Sequence, residues 1–249
     1  LNNKKTTTTV GIYLRNLRAI FNRANIDKSL SPFGAGQQKY LIPKGNNFKK
    51  ALPSDAIKRI YNYGAEPKSL SDMAKDYWIF IYLCGGINVK DLCLLQNKNI
   101  DDNVLRYERA KTKLSKNNGE KINVSLKPQA IEIIKKWGQP SINLETYIFP
   151  HLQKGMTAEN ERKIIQQLTK KINKYMGRIT VELGLPKVTT YHARHSFATV
   201  LRNSEVKMEL ISKALGHTSM KTTESYLAEY PMKMLHDATD SLLDFDIEN

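Results

Sequence analysis

Cysteine is scarce in this chain: Cys84 and Cys93 are the only two in 249 residues. Two thiols in apolar surroundings exclude a disulfide-stapled fold and a cysteine zinc site, and they suit a reducing compartment. No stretch approaches the roughly 18 consecutive apolar residues that a spanning helix needs, so no membrane partner is expected. Residue 1 is Leu and no secretory leader follows it. The expectation is a piece of a longer cytoplasmic protein, in which the sequon Asn123-Val124-Ser125 carries no weight. A phosphate loop is also missing, since Gly34-Ala35-Gly36 has neither the preceding strand nor the following Gly-Lys-Ser/Thr. His192 and His195 have no convergent Cys or carboxylates in the sequence around them. No metal and no other cofactor is therefore expected.

What the chain has in excess is positive charge. It carries 39 Lys and Arg against 24 Asp and Glu, a formal charge of +15. The first fifty residues hold ten bases and a single acid, Asp27, whereas residues 234–249 hold five acids and no Lys or Arg. A basic body with an acidic tail points to an anionic partner, nucleic acid first, with a merely solubilised surface as the bland alternative. The 41% of hydrophobic residues suffices for a packed core.

Periodicity predicts a mainly helical chain. Val10, Tyr13, Leu14, Leu17, Ile20 and Phe21 form one stripe over Thr9 to Ala24. Breaks at Ser31–Gly36 and Lys44–Asn47 place a domain boundary between Ile42 and Leu52. Further helices are expected from Pro53 to Tyr63, from Ser69 to Leu83 with a capping box at Ser69 and Asp72, and from Val89 to Leu95. In the second of these, Leu70, Met73, Tyr77 and Phe80 form the apolar stripe. Val104–Arg109 and Lys121–Leu126 read as two strands joined by an Asn117-Asn118-Gly119 turn. Helices from Pro128 to Trp137 and from Ala158 to Leu183 follow, with shorter ones closing the chain.

The informative stretch runs from Thr189 to Tyr230. Tyr191, Arg194 and His195 share one helical face, and Leu215-Gly216-His217 ends a helix on glycine. Tyr226 follows His217 by nine residues. An Arg, a His and a Tyr carried at helix ends can surround one phosphate, the Arg offering a planar fork to two oxygens.

Arg194-His195-Ser196-Phe197-Ala198-Thr199, then Leu215-Gly216-His217, then Tyr226 together resemble the signature of the tyrosine recombinases, over about Pro53 to Tyr230. The resemblance implies an α+β fold: a mainly helical catalytic domain with a small antiparallel sheet. It places this domain at residues 47–249, with a tail from about 235. Residues 1–46 would be the end of a helical, SAM-like core-binding domain plus linker, the two domains clamping duplex DNA.

The same resemblance assigns roles. Tyr226 matches the nucleophile, forming a 3′-phosphotyrosyl link that conserves bond energy without ATP. Arg194 matches the family's second arginine and His217 its phosphate-binding histidine. Lys111 matches the lysine that protonates the leaving 5′ oxygen, with Lys113 and Lys116 as competitors. Two positions depart from the pattern. Gly86-Ile87-Asn88-Val89-Lys90-Asp91-Leu92 puts Asn88 where the first arginine belongs, so that Lys90 or Arg109 substitutes or activity is impaired. Tyr191 stands where a histidine is usual. Asp91 is expected to brace the Asn88 turn, His195 to pack, and His151 and His236 to pack or lie at the surface.

The function implied is site-specific DNA integration or excision of a mobile element in a bacterial, nucleoid-associated setting. Double-stranded DNA is the partner, accessory DNA-bending proteins are possible partners, and the assembly is a homotetramer. Residues 235–249 would dock on a neighbouring subunit, or alternatively pack in cis. A type IB topoisomerase and a catalytically impaired DNA-binding regulator are the other readings.

Overall fold

The structure, a computed structural model, describes residues 6–24, 27, 29–34, 39–43, 51–111, 121–217, 220–224 and 227. Lys113, Lys116, the turn at 117–119, Tyr226, His236 and the tail from 235 lie outside the described residues. The chain divides into two units, residues 1–48 and 49–249.

In the first unit, helix α1 (Thr7–Arg23) starts where the Thr6 hydroxyl accepts the Thr9 N–H at 3.3 Å. Its buried residue is Gly11, where a Cβ would lie 2.4 Å from the Pro43 carbonyl oxygen. Phe21 meets Phe33 edge to face at 5.9 Å. Val10, Tyr13, Leu17 and Ile20 remain exposed, because one helix and a short loop bury little of the stripe.

The second unit is built around helix α3 (Leu70–Leu83), which follows α2 (Ser54–Tyr61). Ser69 caps α3 by accepting the Asp72 N–H at 3.1 Å. The expected single stripe is too narrow a description. Trp78, Ile79 and Ile81 are buried as well as Tyr77 and Phe80, while Leu70 is exposed. A helix apolar on most sides belongs in the middle of a domain, and α3 packs against α2, α5 (Pro128–Trp137), α6 (Ala158–Glu182) and α7 (Thr190–Asn203). Its buried acids are satisfied from α5. The Lys136 ammonium lies 2.7 Å from both Asp72 and Asp76, and the Trp137 indole N–H donates to Asp76 at 2.8 Å.

After α4 (Val89–Leu94), a three-stranded antiparallel sheet runs in the order β1 (Ile100–Asp101), β2 (Val104–Tyr107), β3 (Ile122–Ser125). The two-residue β1 is too short for a period-2 signal, so the sequence suggested only two strands. Leu105 pairs with Val124 and Tyr107 with Ile122, which turns Leu105, Tyr107 and Ile122 into the core. Helix α8 (Met208–Leu215) packs on β3, and α9 (Met220–Glu224) on α8. Ala198, Ile211, Leu215 and Leu227 form a separate small cluster beneath these last helices.

Candidate active site

Helix α7 carries the central residue of the site. Its start is fixed twice. The Trp78 indole donates to the Thr189 carbonyl at 3.0 Å, tying it to α3, and the Thr189 N–H donates to His192 Nδ1 at 3.1 Å. His192 is thus a helix-capping residue.

One turn further on, Arg194 is buried, and its guanidinium bridges the ends of two other helices through three partners. Nη1 donates to the Gly86 carbonyl at 2.8 Å, just past α3. Nη2 donates to the Leu215 carbonyl at 2.6 Å, the last residue of α8, and to His217 Nε2 at 2.9 Å. Carbonyls at helix C-termini carry partial negative charge and suit a buried cation.

Glycines let these ends approach. Gly86 has φ +65°, and a Cβ there would lie 2.6 Å from Arg194 Cγ and 2.8 Å from its Cα. Gly216, the left-handed cap of α8 at φ +61°, would place a Cβ 2.8 Å from Arg109 Cδ.

His217 follows that cap and is buried. Because arginine only donates, His217 Nε2 is an acceptor here. Nδ1 therefore carries the hydrogen and donates to Thr223 Oγ1 at 3.0 Å. Burial, Arg194 and Arg109 push the imidazole down to about 3, which keeps the ring neutral.

Arg109, two residues past β2, reaches the same rim. Its Nη1 donates to Gly216 O at 3.1 Å and Leu215 O at 3.4 Å. Lys90, the other candidate substitute, is exposed, and its backbone N–H is taken by Asn88 Oδ1 at 2.9 Å. That bond makes Asn88 the N-cap of α4. Asp91, in the first turn of α4, reaches across to a second segment: its Oδ1 accepts the Ala110 N–H at 2.9 Å and thereby secures the strand exit that carries Arg109. Burial raises the Asp91 carboxyl, against the opposing pull of that N–H, Arg109, Arg194 and Lys90.

A cavity of about 160 Å³ is lined by Gly86, Asn88, Thr169, Thr190, Tyr191 and Arg194, among others. Three residues picked from the sequence thus share one space. Tyr191 is half exposed and packs edge to face on buried His195 at 4.5 Å. Lys111 is exposed just past Arg109. His151 packs, its Nε2 sharing a hydrogen with the Tyr77 hydroxyl at 2.8 Å, and Cys84 and Cys93 are buried. Thr223, the Nδ1 partner of His217, escaped sequence reading. Its one clue is its place three residues before Tyr226.

The profile of the Phage integrase family matches residues 50–232. Tyrosine recombinase XerA of Pyrococcus horikoshii is 27% identical over 187 residues, covering 74% of this chain and 58% of that protein. The chain therefore spans less than two thirds of that relative's length. A Rhodospirillum centenum tyrosine recombinase XerC is 46% identical over 52 residues, 20% of this chain and 15% of that protein. Among solved structures, the Tn1549 transposon integrase in complex with transposon right end DNA superposes with a TM-score of 0.60 at 16% identity. The match covers 92% of this chain and 77% of the integrase. XerH recombinase bound to a palindromic difH substrate gives 0.55 at 21% identity, covering 92% and 62%. These likenesses confirm the mainly helical fold with its small antiparallel sheet, and the match over residues 50–232 settles the broader kinship: the chain belongs to the phage integrase family.

Proposed function

We propose that this chain is the catalytic part of a site-specific tyrosine recombinase that cuts and rejoins duplex DNA through Tyr226, integrating or excising a mobile element. The observation that carries the reading is the 2.9 Å contact between Arg194 Nη2 and His217 Nε2 where α7 meets the ends of α3 and α8, nine residues before Tyr226. A buried guanidinium beside an imidazole is suited to grip the oxygens of a phosphodiester as charge grows on them. Tyr226, its phenolic proton lost to solvent, attacks phosphorus as the phenolate, the P–O5′ bond breaks, and Lys111 gives the departing 5′ oxygen its proton. Arg109 takes the place of the absent first arginine, since it already lies on the rim that Arg194 occupies. Positive side chains do the work that a metal would otherwise do. The Tn1549 integrase and XerH, both solved with DNA, support duplex DNA as the substrate. A tetramer on DNA, with residues 235–249 reaching a neighbouring subunit, and bending proteins as helpers complete the proposal.

The test is a denaturation-resistant adduct with nicked duplexes that carry the ends of the element encoding the protein. Wild type is expected to form it and Tyr226→Phe to lose it; an adduct that survives Tyr226→Phe overturns the assignment. Asn88 favours one second reading, a DNA-binding regulator with a disarmed site. That reading gains if wild type forms no adduct and Asn88→Arg does. Relaxation of supercoiled DNA without strand exchange would instead indicate a topoisomerase.

A further inference from the structure

His217 faces Arg194 and Thr223 in a way that conflicts with its proposed task. In the free protein its Nε2 accepts from Arg194, and its Nδ1 donates to Thr223 Oγ1. To hydrogen-bond a phosphate oxygen, Nε2 must instead carry a hydrogen. Two routes lead there: the ring takes a second proton, or it changes tautomer. Among the described residues, the charged groups facing the ring are Arg194 from α7 and Arg109 from the β2 exit, both cationic, and both oppose a second proton. The tautomer route needs a partner at Nδ1 that can switch from accepting to donating. A hydroxyl can do both by rotating about its C–O bond, whereas a carbonyl or a carboxylate cannot. Thr223 is fully buried at that place and is held by α9, the helix that leads directly to Tyr226.

We infer that Thr223 is a positioning residue that sets the tautomer of His217: its hydroxyl accepts from Nδ1 in the free protein and donates to Nδ1 when a phosphodiester draws Arg194 away. The exchange is neutral overall. One hydrogen leaves Nδ1 for water, another is taken from water at Nε2, and the threonine keeps its own. The inference rests on the proposed phosphate-binding role of His217. It adds a link between α9 and the phosphate grip, because a shift of α9 that moved Thr223 would disturb His217.

The test pairs spectroscopy with kinetics. In protein carrying nitrogen-15 histidine, with His217→Gln used for assignment, free His217 is expected to be protonated at Nδ1. On adding the nicked duplex it should become protonated at Nε2. In single-turnover cleavage, Thr223→Val should slow adduct formation by about 10- to 100-fold, the usual size for losing an outer partner that fixes a ring tautomer. Its affinity for DNA should stay within about threefold, and the defect should deepen as pH rises, while Thr223→Ser restores the rate. Val cleaving like wild type at every pH, or a tautomer unchanged by DNA, overturns the inference. If wild type binds DNA and switches tautomer but forms no adduct, the cleavage reading fails and this inference stands. If it forms an adduct without the switch, the reverse holds.

Discussion

Gly86 and Arg194 are in backbone-level contact. A single added carbon at position 86 would sit 2.6 Å from Arg194 Cγ, on a residue whose φ is already +65°. Gly86→Ala therefore has to push α7 away from the end of α3 while straining its own backbone. A left-handed residue with a side chain costs about 1–3 kcal/mol before the clash is counted. The melting temperature should fall by several degrees, and adduct formation should drop further than DNA binding. A variant that melts and cleaves like wild type would mean that the spacing of α3 and α7 does not set the site.

Arg194 should not tolerate even a conservative change. Lysine keeps the charge but offers one donor head in place of a fork, so it cannot serve the Gly86 and Leu215 carbonyls and also His217. The Gly86 carbonyl, left unsatisfied, costs about 1–3 kcal/mol, while the Leu215 carbonyl keeps only its longer bond from Arg109. Arg194→Lys is expected to lower both the melting temperature and adduct yield, the latter by about 10²-fold or more. Thermal melts and single-turnover assays on the same preparation separate the two losses.

Asn88 and Arg109 make opposite predictions. If Arg109 supplies the missing clamp, Arg109→Ala should slow cleavage by about 10²- to 10³-fold, and Asn88→Arg should change it less than tenfold. Asn88→Arg should also destabilise the protein, because Asn88 Oδ1 caps α4 on the Lys90 N–H. Loss of such a cap costs about 1 kcal/mol, whereas Asn88→Asp retains it. Asn88→Arg raising the rate strongly, with Arg109→Ala silent, would assign the clamp to position 88 and leave the natural protein impaired.

Local chemistry explains what could be read in advance. The Ser69 cap, the glycine end of α8 and the spacing from Arg194 to His217 depend on neighbours in sequence, so they were legible. The broad burial of α3 was not, because Trp78 and Ile81 lie off its stripe and are covered by helices that arrive as much as a hundred residues later or more. Asp91 looked like a local brace, yet its carboxylate holds Ala110, nineteen residues away across the strand exit. Thr223 was invisible for a related reason: a buried hydroxyl leaves no charge or periodic mark, and only the fold brings it to His217.

Two histidines should make stability depend on pH. Burial, with nearby cations, holds His217 at about 3 and His151 at about 4, against an ordinary value of 6.5. Both are kept neutral in the folded protein and take up a proton on unfolding once the pH is below 6.5. The unfolded state then binds more protons, so stability is full above 6.5 and falls as the pH drops towards 4 and then 3. Between pH 6 and 5, before most carboxylates titrate, each histidine should contribute nearly one proton to the slope of unfolding free energy against pH. His151→Gln should remove about one proton from that slope, measured by denaturant titration at several pH values. His217→Gln should do the same and abolish the switch described above. A slope unchanged by His151→Gln would mean that its ring is already protonated in the folded protein, contrary to the effect of its burial and of Lys171.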